Sequence, residues 1–404
     1  MKIKGVAISS TQISVLVIVW LAFLLSFVDR LSWPPVMPLV SKELGMTAKQ
    51  AGSYMTAFYI GYVATQLPGG LLTDRFGYRK VLLGSFALMG VFTALMGTIT
   101  TYEQGFTYRI LAGIGSGAVF SASVRAIFDW FPGQIRGTAM GIFMTSSSLG
   151  LAAVNLFVPT LAKTHGWQYS FVAAGLLPIL ALLFAWPLLK QKPQETVSEG
   201  QSVGQFFKDI FGLFTNKNLM LTGLAGFCAM WATWGTATWA NTYMAKSLNL
   251  TLVEAGLFMS LYGTASLACK PIAGFLSDLL RGKRNILLAI MLGTFFVCLL
   301  LFGANTSVSM LYILAPMLGV AAFMYSPVMN TLISEVVQPK LVGTATGFVN
   351  TIWQLGSLIS PLAVGAVLDA TNNYFYAFAT LAAGPLIGAF IIFLIHDNSA
   401  EGIA

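Results

Sequence analysis

Pro68-Gly-Gly-Leu-Leu-Thr-Asp-Arg-Phe-Gly-Tyr-Arg-Lys80 lies at the end of one apolar stretch, and Pro271-Ile-Ala-Gly-Phe-Leu-Ser-Asp-Leu-Leu-Arg-Gly-Lys-Arg284 lies at the end of another. Both place a small-residue helix end ahead of an aspartate and a basic cluster. The first copy closes the second apolar stretch of the chain and the second copy closes the eighth, six spans later. An internal repeat of this kind marks a membrane carrier made of two related halves, with its site between them.

Composition agrees. Of the 404 residues 56% are hydrophobic and only 9% are charged, with a mean hydropathy of +0.78; soluble domains carry about 25% charged residues. The chain is therefore an integral membrane protein. A helix needs about 20 apolar residues to cross a bilayer. Twelve such stretches are present, near 13–39, 48–72, 79–99, 104–128, 136–161, 168–189, 219–245, 252–279, 286–304, 308–334, 341–368 and 373–395. The polar segment 190–218 separates two sets of six. It defines domains 1–189 and 219–404 with a cytoplasmic linker between them. Forty glycines suit close helix packing in lipid. The expected fold is all-α, with twelve transmembrane helices in two pseudo-symmetric six-helix bundles.

Lysines and arginines give the orientation. With the N-terminus in the cytoplasm, the outer segments hold Lys42, Lys49, Lys163 and Lys246, and the spans hold Arg30, Arg109 and Lys270. The other fifteen of the 22 fall on the inner side. Both termini are then cytoplasmic, and a multi-pass protein of the plasma membrane, the inner membrane of a bacterium, is expected. This topology accounts for the net charge of +8 without nucleic acid as a partner. The apolar run after residues 1–12 is too long for a signal-peptide core and has no small-residue cleavage site, so it reads as a retained first span.

Cys228, Cys269 and Cys298 lie in apolar spans without metal-ligand spacing and read as small core hydrophobes. His165 and His396 lie near span ends and form no triad or metal set. The expectation is a monomer in the lipid bilayer that is not an enzyme and holds no metal or cofactor.

Four charges fall inside the spans: Asp29, Arg30, Arg109 and Lys270. Each costs at least ~2.5–3.5 kcal/mol at the bilayer centre on insertion scales, so each needs a partner, water or a polar ligand. One acid does not neutralise three bases. A low-dielectric cavity with a surplus of positive charge attracts anions, and arginine offers a carboxylate a planar fork. Internal pairing, such as Asp29 with Arg109, is the plainer alternative. Tyr59, Tyr62 and Gln66 share a face of span 2, and Asn350 and Gln354 share a face of span 11. Trp231, Trp234, Trp239 and Tyr243 populate span 7. Aromatics in spans commonly serve packing or the interface, but Tyr62, Tyr243, Asn350 and Gln354 are taken as cavity residues. Span 5 carries Thr145-Ser146-Ser147-Ser148; packing explains small hydroxyls there, with Ser147 a candidate substrate contact.

The loop Gly70-x3-Asp74-Arg75-x-Gly77-x-Arg79-Lys80, with Arg109-Ile-Leu-Ala-Gly-Ile-Gly-Ser-Gly117 in span 4, resembles the signatures of the major facilitator superfamily. The resemblance covers essentially the whole chain. It implies alternating access and a conformational latch formed by Asp74, Arg75, Arg79, Lys80 and, in the second copy, Asp278. Four further segments resemble the anion:cation symporter family: Asp29-Arg30, Gly61-Tyr62-Val-Ala-Thr-Gln66-Leu-Pro68, Trp239-Ala-Asn-Thr242-Tyr243 and Gly343-Thr-Ala-Thr-Gly347-Phe-Val-Asn350. That resemblance implies carboxylate binding by Arg30 and Arg109, with Tyr62 and Asn350 near substrate. Proton-coupled members carry a glutamate below the span-4 arginine, where this chain has Ser116; Asp29 is left as the candidate proton carrier. Lys270-Pro271-Ile-Ala-Gly274 resembles the cation-bearing span 8 of monocarboxylate transporters and the oxalate:formate antiporter.

Together these readings favour a secondary transporter of a small organic anion, a mono- or dicarboxylate or sugar acid, coupled to protons by symport. Anion exchange without protons is the rival mode. A multidrug exporter fits less well because the intramembrane surplus is positive. A non-transporting sensor would bring a signalling domain that the chain lacks.

Overall fold

The computed structural model describes residues 2–3, 6–192, 212–280, 283–337 and 342–395. Most of the linker 190–218 therefore lies outside the described residues, as do Arg281, Lys340 and His396. Apart from a two-residue antiparallel pair, Lys2–Ile3 with Val6–Ala7, the described elements are helices.

In chain order they are α1 (Ser10–Leu31), α2 (Met37–Glu43), α3 (Ala48–Phe76), α4 (Tyr78–Leu95), α5 (Tyr102–Gly117), α6 (Val119–Trp130), α7 (Gly133–His165) and α8 (Trp167–Leu188). There follow α9 (Lys217–Ser247), α10 (Leu252–Leu279), α11 (Arg284–Ala304), α12 (Val308–Val336), α13 (Val342–Thr371) and α14 (Tyr374–Phe393). With α5 and α6 taken as one span broken at Ala118, twelve are long enough to cross a bilayer.

Ten of those twelve are also apolar enough to span by length and composition; α3 and α9 are not. The reason is where their polar groups go. On α9, Thr222, Thr233, Thr236, Thr238, Asn241 and Thr242 are all buried within the protein, none more than 2% exposed. A span that faces protein on most sides does not need a hydrocarbon surface.

The first span differs from expectation. It stops at Leu31 instead of running to residue 39, and α2 follows as a separate short helix. Ser32-Trp33-Pro34-Pro35 ends it: proline has no N–H to give, and it disfavours helical geometry in the residue before it. The Trp33 indole N–H donates to the Ala51 carbonyl at 2.9 Å, which pins this turn to α3. Asp29 and Arg30 consequently occupy the last turn of α1, yet they are 0% and 2% exposed.

The described helices fall into two compact units. One holds α1 to α8 together with Leu250–Ser260; the other holds the rest of the described helices from α9 on. In the first, α3 packs along α5, α4 along α8 and α1 along α7; in the second, α9 packs along α13 and α14, and α11 along α14. Glycine sets the α3–α5 spacing, because a Cβ at Gly113 would collide with the Phe58 carbonyl. At the α3–α4 corner Gly77 takes φ +83°, and a side chain there would also strike the Gln191 amide.

Candidate functional site

The close approach of α3 to α5 brings Arg109 against the end of α1. Arg109 is wholly buried. Its Nη1 donates to the Asp29 carbonyl (3.0 Å), Nη2 to the Arg30 carbonyl (2.8 Å) and Nε to the Tyr54 carbonyl (3.3 Å). Its guanidinium also lies 4.7 Å from the Phe58 ring centroid. The pairing considered for Asp29 and Arg109 therefore takes an unexpected form: the arginine holds the aspartate's main chain. The Asp29 carboxylate accepts through Oδ1 from the Thr93 hydroxyl on α4, and its buried Oδ2 has no hydrogen-bond partner.

Arg30 sits in a cage of rings. Its guanidinium carbon is 4.4 Å from the centroid of Tyr62, 4.8 Å from Phe27, 5.5 Å from Tyr59 and 5.7 Å from Phe58. Ring faces attract a cation, most strongly where water is excluded. Two side chains expected at the site, Arg30 and Tyr62, are thus in contact. Ser116 is also placed in this region: its hydroxyl lies 2.5 Å from that of Ser26, one turn before Arg30 on α1.

Other expected residues are placed as follows. Ser147 on α7 keeps its hydroxyl on the Met144 carbonyl at 2.9 Å. In the second unit, Lys270 on α10 is half-buried, with Nζ 5.4 Å from the Phe323 ring centroid. Gln354 on α13 is 6% exposed and its Oε1 has no partner; Asn350, one turn earlier, is half-buried. Tyr243 donates to the Asn305 carbonyl and packs on Phe302, Tyr374 and Phe378. It lines a recess of about 420 Å³ with Ser247, Asn305, Asn373 and Tyr374, at the far end of α9 from its start.

In the last turn of α3, Asp74 accepts from Arg125 of α6 at 3.4 Å, and Arg125 also bonds Asp129 at 3.0 Å. Arg79 donates to the Trp186 carbonyl at 2.7 Å, Arg75 lies over the adjacent Phe76 ring at 5.4 Å, and Lys80 is exposed. The second copy is organised around a different residue: buried Arg284 pairs with Glu335, donates to Ser277 (2.9 Å) and lies 4.0 Å from Asp278.

Sequence reasoning missed Thr93, Phe27, Phe58, Arg125, Arg284 and Glu335. Phe58, Tyr59 and Tyr62 at i, i+1 and i+4, with Phe27 three residues before Arg30, carried a readable signal for the cage. Thr93, a lone threonine in an apolar span, carried none.

The profile of the Major Facilitator Superfamily matches residues 19–361 and, in a second alignment, 222–402. A probable sulfoacetate transporter of Cupriavidus necator is 28% identical over 97% of this chain and 96% of its own length. A probable galactarate/D-glucarate transporter of Bacillus subtilis is 25% identical over 94% and 90%, and a hexuronate transporter of the same organism is 23% identical over 94% and 92%. Among solved structures, a bacterial homolog of the human lysosomal transporter Spinster superposes with a TM-score of 0.82 at 15% identity, covering 96% of this chain and 97% of that one. The profile match, running through nearly all of the chain, carries the assignment: this protein belongs to the Major Facilitator Superfamily.

Proposed function

We propose that the chain carries a small organic anion, a mono- or dicarboxylate or a sugar acid, across the bilayer by alternating access. The observation that carries this reading is Arg30: a guanidinium buried in an aromatic cage, beside a second buried arginine and a single acid whose carboxylate is turned to Thr93. The local charge is positive by one. The cage removes water and so strengthens an ionic hydrogen bond to a carboxylate. The relatives, named as transporters of sulfoacetate, galactarate or glucarate and hexuronate, fit the same cargo class.

In this reading Arg30 and Tyr62 bind the anionic group, and Arg109 acts by fixing the backbone that presents Arg30. Lys270, Asn350 and Gln354 are the second unit's contacts. Tyr243 and Ser147 keep their hydroxyls on backbone carbonyls and receive no charge-binding part. The Asp74–Arg125 pair, with Arg75, Arg79, Lys80 and Asp278, serves as the conformational latch. The protein works as a monomer with both termini in the cytoplasm, in the inner membrane of a bacterium.

Coupling falls to Asp29, whose free Oδ2 is the place for a proton; exchange without protons is the alternative. Uptake of D-glucarate, D-glucuronate and sulfoacetate into proteoliposomes tests both ideas. Acceleration by an inward proton gradient, lost in Asp29→Asn, supports symport. Indifference to the gradient with acceleration by internal substrate supports exchange. Uptake of none of the three, or full uptake by Arg30→Ala, defeats the anion reading.

A further inference from the structure

We propose that Tyr78 straps the first residues of the 190–218 linker to the corner that carries the latch, so that this stretch of linker moves with α4. The inference concerns neither the cargo nor its binding site. Beyond the end of α8 at Leu188, residues 189–192 form no helix, and their main-chain groups need partners from elsewhere. The hydroxyl of Tyr78, the first residue of α4, supplies them. It donates to the Lys190 carbonyl at 2.7 Å and accepts from the Lys192 N–H at 3.0 Å. The residue between them is held as well: Gln191 Oε1 accepts from the Arg79 N–H at 3.1 Å. The Gln191 amide rests on Gly77, where a Cβ would leave it no room.

The same hydroxyl accepts from the Trp130 indole N–H at 2.6 Å. Trp130 closes α6, its ring centroid lies 5.4 Å from the Lys192 ammonium, and its carbonyl accepts from Gln12 of α1 at 2.7 Å. One oxygen therefore joins α4, the end of α6 and the linker, and its three bonds use the capacity of a hydroxyl in full. Tyr78 is 0% exposed. The Asp74–Arg125 pair, four residues earlier on the same corner, has side chains 61% and 36% exposed. Ion pairs open to solvent contribute little and are screened by salt, whereas hydrogen bonds shielded from water are harder to break. The Tyr78 hub, more than the ion pair, holds the corner to α6. A movement of the corner away from α6 breaks the Trp130 bond and takes the linker with it.

Trypsin reads the strap directly. The Lys190 side chain is exposed although its carbonyl is held, while Pro193 after Lys192 bars cleavage there. Cleavage after Lys190 then follows the population in which the strap is open. Full-length protein in nanodiscs is digested, and the rates after Lys190 and after the exposed Lys163, in the last turn of α7, are compared. Tyr78→Phe keeps the ring and loses both bonds to the linker, so cleavage after Lys190 is expected to rise about tenfold. Trp130→Phe is expected to raise it by a smaller factor through the shared hydroxyl, although the indole N–H does not touch Lys190. Arg125→Gln, which removes the ion pair, is expected to change it by less than about twofold. The rate after Lys163 should stay constant throughout. A wild-type rate after Lys190 in Tyr78→Phe or in Trp130→Phe overturns the proposal, and so does an equal rise after Lys163, which marks general loosening. If Arg125→Gln frees Lys190 as fully as Tyr78→Phe does, the ionic latch holds the linker: the latch reading stands and this inference alone fails.

Discussion

The two units bury cations in different company. In the first, Arg109 gives its fork to three main-chain carbonyls, Arg30 is enclosed by four rings, and Asp29 is held by Thr93. In the second, the Lys270 ammonium lies over the Phe323 ring and Arg284 pairs with Glu335. Buried neutral oxygens without a hydrogen-bond partner among the described residues occur in both units, those of Ser41, Gln66 and Ser123 in the first and of Thr236, Ser357 and Ser360 in the second among them. A charge left without compensation in hydrocarbon is far more costly than a hydroxyl left without a bond. The first unit therefore holds its buried charges with main-chain carbonyls, rings and a hydroxyl, and both units keep neutral groups that a ligand or water completes. The contrast lies in how cations are held: by a main-chain fork and a cage of rings in the first unit, by an ion pair and a ring face in the second.

Removing the fork is the strongest way to break this picture. Arg109→Ala removes a charged donor from the carbonyls of Asp29, Arg30 and Tyr54, and a hydrogen bond to a charged group is worth about 1.5–3 kcal/mol. The expected result is a large fall in unfolding midpoint together with loss of binding. Arg30→Ala takes no donor from those three carbonyls, so binding should vanish with a smaller fall in midpoint than Arg109→Ala produces. Equal midpoints for the two variants would show that Arg109 is not a structural fork. Arg30→Lys sharpens the point: a point charge without the planar fork should retain only a weak fraction of carboxylate affinity.

A smaller effect is expected at the helix contact that makes the fork possible. Gly113→Val forces α3 and α5 apart, because the new side chain meets the Phe58 carbonyl and the chain near Tyr62. Overpacking of this sort costs about 1–3 kcal/mol. Phe58 and Tyr62 belong to the Arg30 cage, so affinity should fall along with the midpoint. A matching substitution at Gly274, which has nothing near its Cβ position, should leave both unchanged. Ligand titration and thermal unfolding of the two variants check the pair.

What was legible in the sequence follows from physics that acts locally. Long apolar runs are imposed by the bilayer, and the helices follow from them. Asp29, Arg30 and Arg109 were visible because a charge in a span is rare. Their partners were not visible, because main-chain carbonyls are present at every residue and carry no sequence signal. The early end of α1 was readable from Pro34 and Pro35, yet the apolar residues up to Val40 masked it. The weak hydropathy of α3 and α9 says the same thing in reverse: polarity in a span reports neighbours contributed by distant parts of the chain.

The smallest effects separate the two units residue by residue. Ser26 and Ser116 in the first unit share a hydrogen bond of 2.5 Å, and both are at most 1% exposed. Ser26→Ala strands the Ser116 hydroxyl in an apolar setting and should cost about 1–3 kcal/mol. Ser357 in the second unit is equally buried, but its hydroxyl has no partner to lose. Ser357→Ala removes an unsatisfied group of nearly the same volume, so the midpoint should hold or rise by the equivalent of about 1 kcal/mol. The comparison needs only thermal unfolding of two alanine variants in the same nanodiscs. A drop for Ser357→Ala as large as that for Ser26→Ala would mean that the Ser357 hydroxyl is satisfied in the membrane. A drop confined to Ser26→Ala ties the difference to bonding rather than burial, since the two serines are matched in exposure and size.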